Sequence, residues 1–324
     1  MGIPILQPSR CTGKLGDDLE KDYLIGEEKI DGSRYLLYIE CDPYERREGN
    51  TLLSRRISVV DGRHVDKTEN IPHITGREYK GLEGTVLDGE VVSKDFSSTN
   101  SIMNSAPRIA IAKQKEIGWN DYRVFDVLYF RGVDVRSKTL AERRKILEVV
   151  VARMAVPEVS AIEQFTEDFL KRFNQFVAKG GEGIVIKDTR LAYGVGWCKM
   201  KKSYDVSCVV SGFKNGTGKY AKGVGSIALS VYHKGKLVEI GFASGFDDKV
   251  RMDITKNPKK YMGRVVDVFI QELSKATTEN PVGRGRHPTY YRFRDDINAE
   301  DCTSEKLFKD IKAAKTRNSR RKGE

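Results

Sequence analysis

Hydrophobic and polar residues alternate in short runs through the first half of the chain. Runs rich in β-branched and aromatic residues, each ended by Gly, Asp or Pro, predict strands. Apolar residues at helical spacing predict two amphipathic helices, the second with Thr166 as its N-cap and a stop at a Gly-Gly pair. The predicted strands are 33–40, 52–60, 85–92, 123–130 and 183–187, and the predicted helices are 138–154 and 166–179.

The pattern changes after about residue 202, where short strands dominate. Five strands with one helix among them fit an OB-type barrel, which is a common nucleic-acid-binding module. The predicted strands are 206–213, 225–233, 237–242, 264–273 and 290–294, and the helix is 247–256. The sequence therefore predicts an α+β fold in two domains, 1–203 and 204–302, followed by a basic C-terminal tail at 303–324.

The composition limits which residue types could carry out a reaction in this protein. Hydrophobic residues make up 39% of the 324 residues, and no apolar run approaches the length of about 20 residues that crosses a bilayer. The five cysteines form no C-x-x-C pair and the four histidines are scattered, so a zinc module, a disulfide framework and a Ser-His triad are not expected. No secretory signal is recognisable at the start, so a reducing cytoplasm is the expected location. Any chemistry must then rest on Lys, Asp and Glu.

The net charge of +11 predicts a polyanionic partner, because neutralising phosphates releases counterions. Eight Lys or Arg and three Asp or Glu lie in 303–324, and Lys306, Lys309, Lys312 and Lys315 there suggest a basic helical stripe. The alternative is a tail that only keeps the protein in solution.

The most informative local feature is the segment 27–34, Glu-Glu-Lys-Ile-Asp-Gly-Ser-Arg. Lys29 stands just before an Asp-Gly turn, which fixes its position on a rigid element. A surface lysine before a turn explains this short pattern equally well.

Five further segments follow this K-x-D-G-x-R pattern in a fixed order. They are Leu-Ser-Arg-Arg at 53–56, Leu-Asp-Gly-Glu-Val at 87–91, Val-Phe-Asp-Val-Leu at 124–128, Glu-Gly-Ile-Val-Ile-Lys at 182–187 and Trp-Cys-Lys-Met-Lys at 197–201. The set resembles the covalent nucleotidyltransferase superfamily of ATP-dependent DNA ligases, RNA ligases and mRNA capping enzymes. It is most similar to the minimal two-domain DNA ligases, which join an adenylation domain to an OB-fold domain.

This resemblance implies a role for residues in each segment. Lys29 is expected to take AMP from ATP, with Asp31, Lys199 and Lys201 assisting catalysis. Lys199 and Lys201, two apart on a strand, would face the phosphates together. The remaining expected contacts are with ATP, from Glu27, Arg34, Arg55, Glu90, Phe125, Lys187, Lys199, Lys201 and Arg294, and with Mg²⁺ or Mn²⁺, from Glu182 and Glu90.

Three of these assignments have an alternative, rest on the resemblance alone, or depart from the family pattern. Phe125 is the implied stacking platform for the base, although plain core packing also fits its apolar run. The division between Glu90 as ribose partner and Glu182 as metal ligand rests on the resemblance alone. Arg294-x-Asp296 matches the last ligase motif, but Ile297 stands where the family has Lys, so Arg292 or Arg286 are alternatives there.

The predicted function is sealing of 5′-phosphate/3′-hydroxyl nicks in duplex DNA by a monomer through lysyl-AMP and DNA-adenylate. In the resemblance, the barrel closes for adenylation and swings away for DNA, with the hinge near 201–204. The alternatives are an mRNA-capping guanylyltransferase that uses GTP, an RNA ligase, and a non-catalytic OB-fold nucleic-acid binder. With only 28 residues before Lys29, no N-terminal DNA-binding domain is expected, and the basic tail and barrel would hold the duplex instead.

Overall fold

The computed structural model describes residues 3–8 and 19–320, with side chains described as far as Lys312. The chain forms two compact units, Met1–Met200 and Lys201–Glu324. Both combine antiparallel sheets with helices, which confirms the predicted α+β class.

The first unit is built mainly from strands. They are β1 (Leu24–Glu28), β2 (Ser33–Ile39), β3 (Thr51–Ile57), β4 (His64–Asp66), β5 (Thr85–Val92), β6 (Asp121–Phe130), β7 (Val133–Asp134), β8 (Val159–Ala161), β9 (Gln164–Phe165), β10 (Gly183–Asp188) and β11 (Cys198–Lys201). The helices are α1 (Pro72–Thr75), α2 (Phe96–Met103), α3 (Pro107–Ile117), α4 (Leu140–Met154) and α5 (Phe169–Ala178).

The larger sheet of this unit has the order β4-β3-β2-β5-β6-β7, with β8 parallel to β6. Successive side chains of a strand point to opposite faces, so each central strand serves two cores. Leu37 and Leu87 pack into the large core, whereas Leu36 and Val86 pack into a smaller cluster on the other face. Burial on both faces explains why these strands are nearly continuous apolar runs.

The smaller sheet has the order β11-β10-β1-β9 and carries α5 on one face. Ile184, Ile186 and Met200 pack with Phe169 in that apolar layer. Because side chains alternate, residues of the opposite parity face away from α5. The polar side chains of this sheet, Glu27 and Lys187 among them, lie on that second face.

A buried ion pair fixes α4 against the larger sheet. The guanidinium of Arg143 donates to both carboxylate oxygens of Asp126, at 2.7 and 2.9 Å, and both side chains are fully buried. Thr139 and Glu142 form a capping box at the start of α4. Desolvating two charges is costly, so each partner depends on the other.

The second unit is a closed barrel. Its elements are β12 (Tyr204–Asn215), β13 (Val224–His233), β14 (Lys236–Ala243), α6 (Asp248–Lys256), α7 (Pro258–Tyr261), β15 (Val265–Ile270), β16 (Glu272–Leu273), β17 (Gly285–Arg286), β18 (Thr289–Arg294) and α8 (Ser304–Arg320).

Five of these strands form a sheet in the order β14-β13-β12-β15-β18. A parallel bridge between Ser244 and Thr289 then joins the two edges, and the Tyr290 amide donates to the Ser244 carbonyl at 2.8 Å. This bridge joins the two edge strands, and the strand connectivity, with helices α6 and α7 between the third and fourth strands, is that of an OB-fold. The predicted OB-type barrel is confirmed.

The segment predicted as a basic tail is α8 over 304–320. Leu307 and Ile311 of this helix are buried in the barrel core, and Cys302 just before it is fully buried. Lys306, Lys309 and Lys312, three of the four lysines that suggested a basic stripe, are therefore carried by a helix that packs against the core through Leu307 and Ile311.

Several local predictions were wrong. Thr166 is not an N-cap, because α5 begins at Phe169 after Asp168, which adopts a left-handed conformation without a side-chain cap. Helices α2 and α3 were missed, since their Ser- and Lys-rich sequences give weak apolar periodicity. Strand β1 was not predicted, and the strand predicted at 264–273 breaks after Ile270.

Within the described residues, no helix combines the length and the apolar character needed to cross a membrane.

We predict that Asp126→Ala destabilises the protein by about 3–5 kcal/mol, because it leaves Arg143 buried without a counter-charge. Urea unfolding of the full chain measures this. Glu148→Ala is the matched control, since it removes a partly exposed pair with Arg144 on the same helix and should cost less than about 0.5 kcal/mol. Equal effects of the two substitutions would contradict the prediction.

Candidate active site

Lys29 lies between β1 and β2, where it is held by both backbone and side chain. Its amide donates to the carbonyl of Gly183 at 2.9 Å. Its Nζ donates to Oε2 of Glu182 at 2.5 Å, and the two side chains are only 19% and 10% exposed. The structure thus brings two predicted site residues together from segments far apart in the sequence.

The turn after Lys29 depends on glycine for space. The Gly32 amide donates to Oε2 of Glu90 at 3.0 Å. A Cβ at Gly32 would lie 2.6 Å from both the Val91 carbonyl oxygen and a Val92 methyl. Close approach therefore requires the glycine of the K-x-D-G pattern, and it brings the backbone of β5 against the turn.

Glu90 has an unusual protonation equilibrium for a glutamate. Burial raises its pKa to about 7, although Lys29, the Gly32 amide and Arg34 oppose the shift. Glu182 adds to the rise through like-charge repulsion. The carboxyl therefore changes charge close to neutral pH, beside the lysine.

Arg34 is fixed by a carboxylate that the sequence did not single out. It donates to both oxygens of Asp88 at 2.9 and 2.5 Å, and Asp88 also accepts a hydrogen bond from the Tyr193 hydroxyl. Burial alone would lower the pKa of Arg34, but the charge and hydrogen bonds of Asp88 raise it above its usual range. Arg34 therefore stays charged in a fixed orientation.

Phe125 is presented by an irregularity in β6. Asp126 pairs with Asp88 and Val124 pairs with Gly89, so Phe125 is the extra residue of a β-bulge. Bulges re-aim a side chain, and this one is half-buried. Its ring lies 6.0 Å from that of Trp197 in an edge-to-face arrangement. The bulge therefore leaves part of this aromatic ring exposed beside Trp197.

Two cations lie against these rings. The guanidinium of Arg34 is 5.0 Å from the Phe125 ring centre, and Nζ of Lys187 is 5.0 Å from Phe125 and 4.3 Å from Trp197. Such contacts stabilise a cation against an aromatic face.

Glu27 and Lys187 form a second buried pair on the polar face of the smaller sheet. Nζ of Lys187 lies 2.6 Å from Oε2 of Glu27, and each side chain is 2% exposed. The amide of Gln164 donates to the other Glu27 oxygen at 2.8 Å. Both carboxylate oxygens of Glu27 are thus engaged in this structure.

The remaining predicted residues of the first domain lie around this face or at its edge. Lys199 is exposed and Lys201 is partly exposed on β11, and Met200 between them packs toward α5, so both lysines project from the polar face. Asp31 is partly exposed in the turn after Lys29. Arg55 is exposed on β3, where continuing the Tyr35–Ser54 pairing by one residue sets it beside Arg34.

Arg294 lies in the second unit and is clamped by two carboxylates. It donates to Asp267 at 2.9 Å and to both oxygens of Asp296, at 2.6 and 2.5 Å. Arg292 also pairs with Asp267, and Ile297 packs into a small apolar cluster. The position that holds Lys in the family pattern is therefore apolar and packed in this chain.

Three residues that the sequence did not indicate form hydrogen bonds with predicted site residues. Asp88, Gln164 and Tyr193 contact Arg34 or Glu27 but bear none of the predicted roles. Asp88 stood within a quoted motif, so the need of a neighbouring arginine for a counter-charge was an available signal. Gln164 and Tyr193 lie outside every motif, and only the fold brings them in.

Lys29 paired with Glu182 and close to Glu90, an aromatic face with fixed cations, and an OB-fold unit are the arrangement expected of a covalent nucleotidyltransferase. A family model described as "ATP dependent DNA ligase domain" matches residues 8–202. The chain belongs to this family.

The relatives that match this chain in sequence are DNA ligases. The chain is 25% identical over 362 residues to a DNA ligase of Saccharolobus shibatae, with 94% of this chain and 58% of the relative covered. A DNA ligase of Sulfolobus acidocaldarius is 24% identical over 361 residues with the same coverage. The chain thus spans 58% of the length of these relatives.

Two solved structures share the fold. One, described as "DNA binding with a minimal scaffold: Structure-function analysis of Lig E DNA ligases", has a TM-score of 0.62 at 18% identity and covers 90% of this chain and 100% of its own. Another, "Pmar-Lig_PreS3", has a TM-score of 0.61 at 20% identity and covers 84% of this chain and 63% of its own.

We predict a pH-dependent gain in stability for Glu90→Gln. The raised pKa means that the folded state binds this proton more tightly than the unfolded state, so the wild type loses stability as pH rises from about 4.5 to about 7. Below that window the two proteins should match, and above it the variant should be more stable by up to about 3 kcal/mol. Urea unfolding at pH 4 and pH 8 without nucleotide measures this. A difference that is the same at both pH values would contradict it.

Proposed function

We propose that this chain is an ATP-dependent DNA ligase that seals nicks in duplex DNA through an AMP group carried on Lys29. The observation that carries the proposal is the Lys29–Glu182 pair within a ligase-family domain. Nick sealing of this kind serves DNA replication, repair and recombination.

In the first step, Nζ of Lys29 attacks the α-phosphorus of ATP. An N–P bond forms, the bond from that phosphorus to the bridging oxygen breaks, and pyrophosphate leaves. Lysine attacks only as the neutral amine, so Nζ must lose a proton, and Glu182 is within hydrogen-bonding distance to accept it. Lys199 and Lys201 would neutralise the phosphates, since phosphoryl transfer depends chiefly on alignment and charge.

The nucleoside would bind against the aromatic face. The half-buried Phe125 ring offers a flat apolar surface for adenine, and Glu27 is the acceptor proposed for the adenine amino group. Because Lys187 and Gln164 occupy both Glu27 oxygens, base binding would share or displace one of these contacts. Arg34 would approach the ribose while Asp88 keeps its guanidinium oriented.

Glu182 and Glu90 fit a divalent metal such as Mg²⁺ or Mn²⁺. Mg²⁺ prefers oxygen ligands and often needs only one or two carboxylates, the rest being water and phosphate. In the part of the chain that the structure describes, no three His, Cys, Asp or Glu side chains form a ligand cluster, so phosphates would complete the shell. A bound cation would offset the charge of Glu90, which burial disfavours, and would neutralise negative charge on the phosphates.

In the later steps, AMP moves from Lys29 to the 5′-phosphate at a nick, and the 3′-hydroxyl then displaces AMP and joins the strand. Arg55 is the proposed contact for the 5′-phosphate, because arginine donates two parallel hydrogen bonds to phosphate. Asp31 is proposed to assist at the nick or the metal. The net charge of +11 supports binding of a polyanionic duplex.

A capping guanylyltransferase and an RNA ligase would use the same lysine chemistry, and an OB-fold binder would use none. The family match favours the ligase over all three.

We predict that incubation with α-labelled ATP and Mg²⁺, without nucleic acid, labels the wild type on Lys29. Lys29→Ala should carry no label. Lys29→Arg should also stay unlabelled, although its charge still pairs with Glu182, which separates the loss of the nucleophile from a loss of structure. Lys171→Ala, on the exposed end of α5, is the matched control and should label normally.

Two results would overturn the ligase proposal. Label from GTP alone would indicate a capping enzyme, and no label from either nucleotide would indicate a binding protein.

We also predict that Arg294→Ala slows labelling from ATP by about 10²-fold but changes sealing of a pre-adenylated nick by no more than about two-fold. The reason is that, in the ligase motif that Arg294 matches, the arginine orients the pyrophosphate, and we propose the same role here; pyrophosphate is absent after the first step. Arg284→Ala, a surface arginine of the same unit paired with Glu239, is the control. Equal losses in both assays would argue against this role.

A further inference from the structure

The turn between β3 and β4 exposes two valines completely. Val59 and Val60 are 102% and 92% exposed, and Ile57 before them is 48% exposed. Fully exposed neighbouring valines are unfavourable in water unless something covers them.

This turn is held in shape, so the exposure is not that of a loose loop. The Ser58 amide donates to the Arg63 carbonyl at 2.8 Å, and the Gly62 amide donates back to the Ser58 carbonyl at 3.0 Å. The Val60 amide donates to the Ser58 hydroxyl at 3.2 Å, and the Arg63 amide to the Asp61 carboxylate at 3.2 Å. A preformed surface loses little entropy when it binds.

The base of the hairpin is anchored in the core. His64 is buried, and its Nδ1 lies 2.6 Å from the Ser54 carbonyl oxygen. Its amide donates to the Tyr44 hydroxyl at 2.9 Å, and the Arg63 guanidinium lies 5.5 Å from the Tyr44 ring centre. The valines are therefore presented from a fixed stem.

Exposed arginines flank the valines on both sides. Arg55 and Arg56 precede them on β3, and Arg63 follows them, all exposed, with Asp61 as the acid of the turn. Nearby Arg46 and Arg47 differ, because both pair with Asp66. An apolar tip between cationic flanks is complementary to a nucleic-acid duplex, in which charged phosphates border apolar sugar edges.

The hairpin also continues outward from the active site. Arg55 and Val59 are four positions apart in one hairpin, and Arg55 directly follows Ser54, which pairs with Tyr35, the residue after Arg34. At about 3.3 Å per residue the tip lies up to about 13 Å beyond Arg55, which equals about four base pairs of duplex. When Arg55 contacts the phosphate at the nick, the tip can reach the duplex arm at that distance from the nick.

We propose that the β3–β4 hairpin is a duplex-binding element, in which Val59 and Val60 pack on the sugar edges of one groove and Arg63 contacts a bordering phosphate. This inference rests on the proposed function, since it takes nicked DNA as the substrate. The hairpin would contribute to binding of the DNA arm and would take no part in the chemistry at Lys29.

The test is the double substitution Val59→Ser with Val60→Ser, measured by binding of the full chain to a fluorescent nicked duplex. Affinity should fall about ten-fold, with an unchanged dependence on salt, because the lost contacts are apolar. Arg63→Gln should weaken binding and reduce the salt slope by about one, because it removes one phosphate contact. Shortening the arms of the duplex to fewer than about four base pairs should remove the difference between wild type and double variant.

Val133→Ser is the matched control. It changes a valine that is 62% exposed on β7, at the opposite edge of the same sheet, and should bind as the wild type does. Equal binding by wild type and double variant would overturn the inference and would point to a protein partner for the tip.

Labelling from ATP separates this inference from the proposed function. The double variant should form lysyl-AMP at the wild-type rate. If the wild type itself does not label, the ligase proposal fails, whereas the hairpin is still judged by nick binding. A double variant that loses labelling and binding together would also contradict the inference, since the tip would then act through the fold.

Discussion

The antiparallel pairing of β1 with β10 is the constraint on which the site depends. It aligns Glu27 with Val185 and Glu28 with Ile184, so the chain leaving β1 meets the chain entering β10. Lys29 is therefore hydrogen-bonded to Gly183 and ion-paired with Glu182, 153 residues away in sequence. The apolar layer under α5 maintains this register, because a slip by one residue would turn the buried isoleucines toward the polar face.

The site combines two kinds of ion pair with different consequences. Arg34–Asp88 and Lys187–Glu27 are shielded pairs that fix cations against the rings of Phe125 and Trp197. Lys29–Glu182 remains partly exposed, which suits the reaction proposed for Lys29. Glu90 has its pKa raised to about 7 by burial, and a cation bound as proposed would offset this cost.

Charged side chains are arranged differently in the two units. In the first, carboxylates and cations gather around one lysine on a sheet face. In the second, Asp267 holds two arginines on the surface of a barrel whose edge strands are joined by a bridge between Ser244 and Thr289. Helix α8 packs against this barrel with Leu307 and Ile311, and the same helix carries Lys309 and Lys312 as exposed side chains.

The sequence by itself determined the α+β class, the OB barrel and the ordered motifs, because strand alternation and short-range turn chemistry are local properties. It also singled out Lys29 as the proposed nucleophile, because the K-x-D-G-x-R pattern and the five segments that follow it can be read from the sequence in order. Only the tertiary structure decided that Asp88 orients Arg34, that Gln164 reaches Glu27, and that a bulge presents Phe125. These contacts join strands far apart in sequence, and a bulge depends on the register of two strands, which no single segment encodes. The exposure of Val59 and Val60 was likewise hidden, because an apolar pair reads as buried strand until the fold leaves it uncovered.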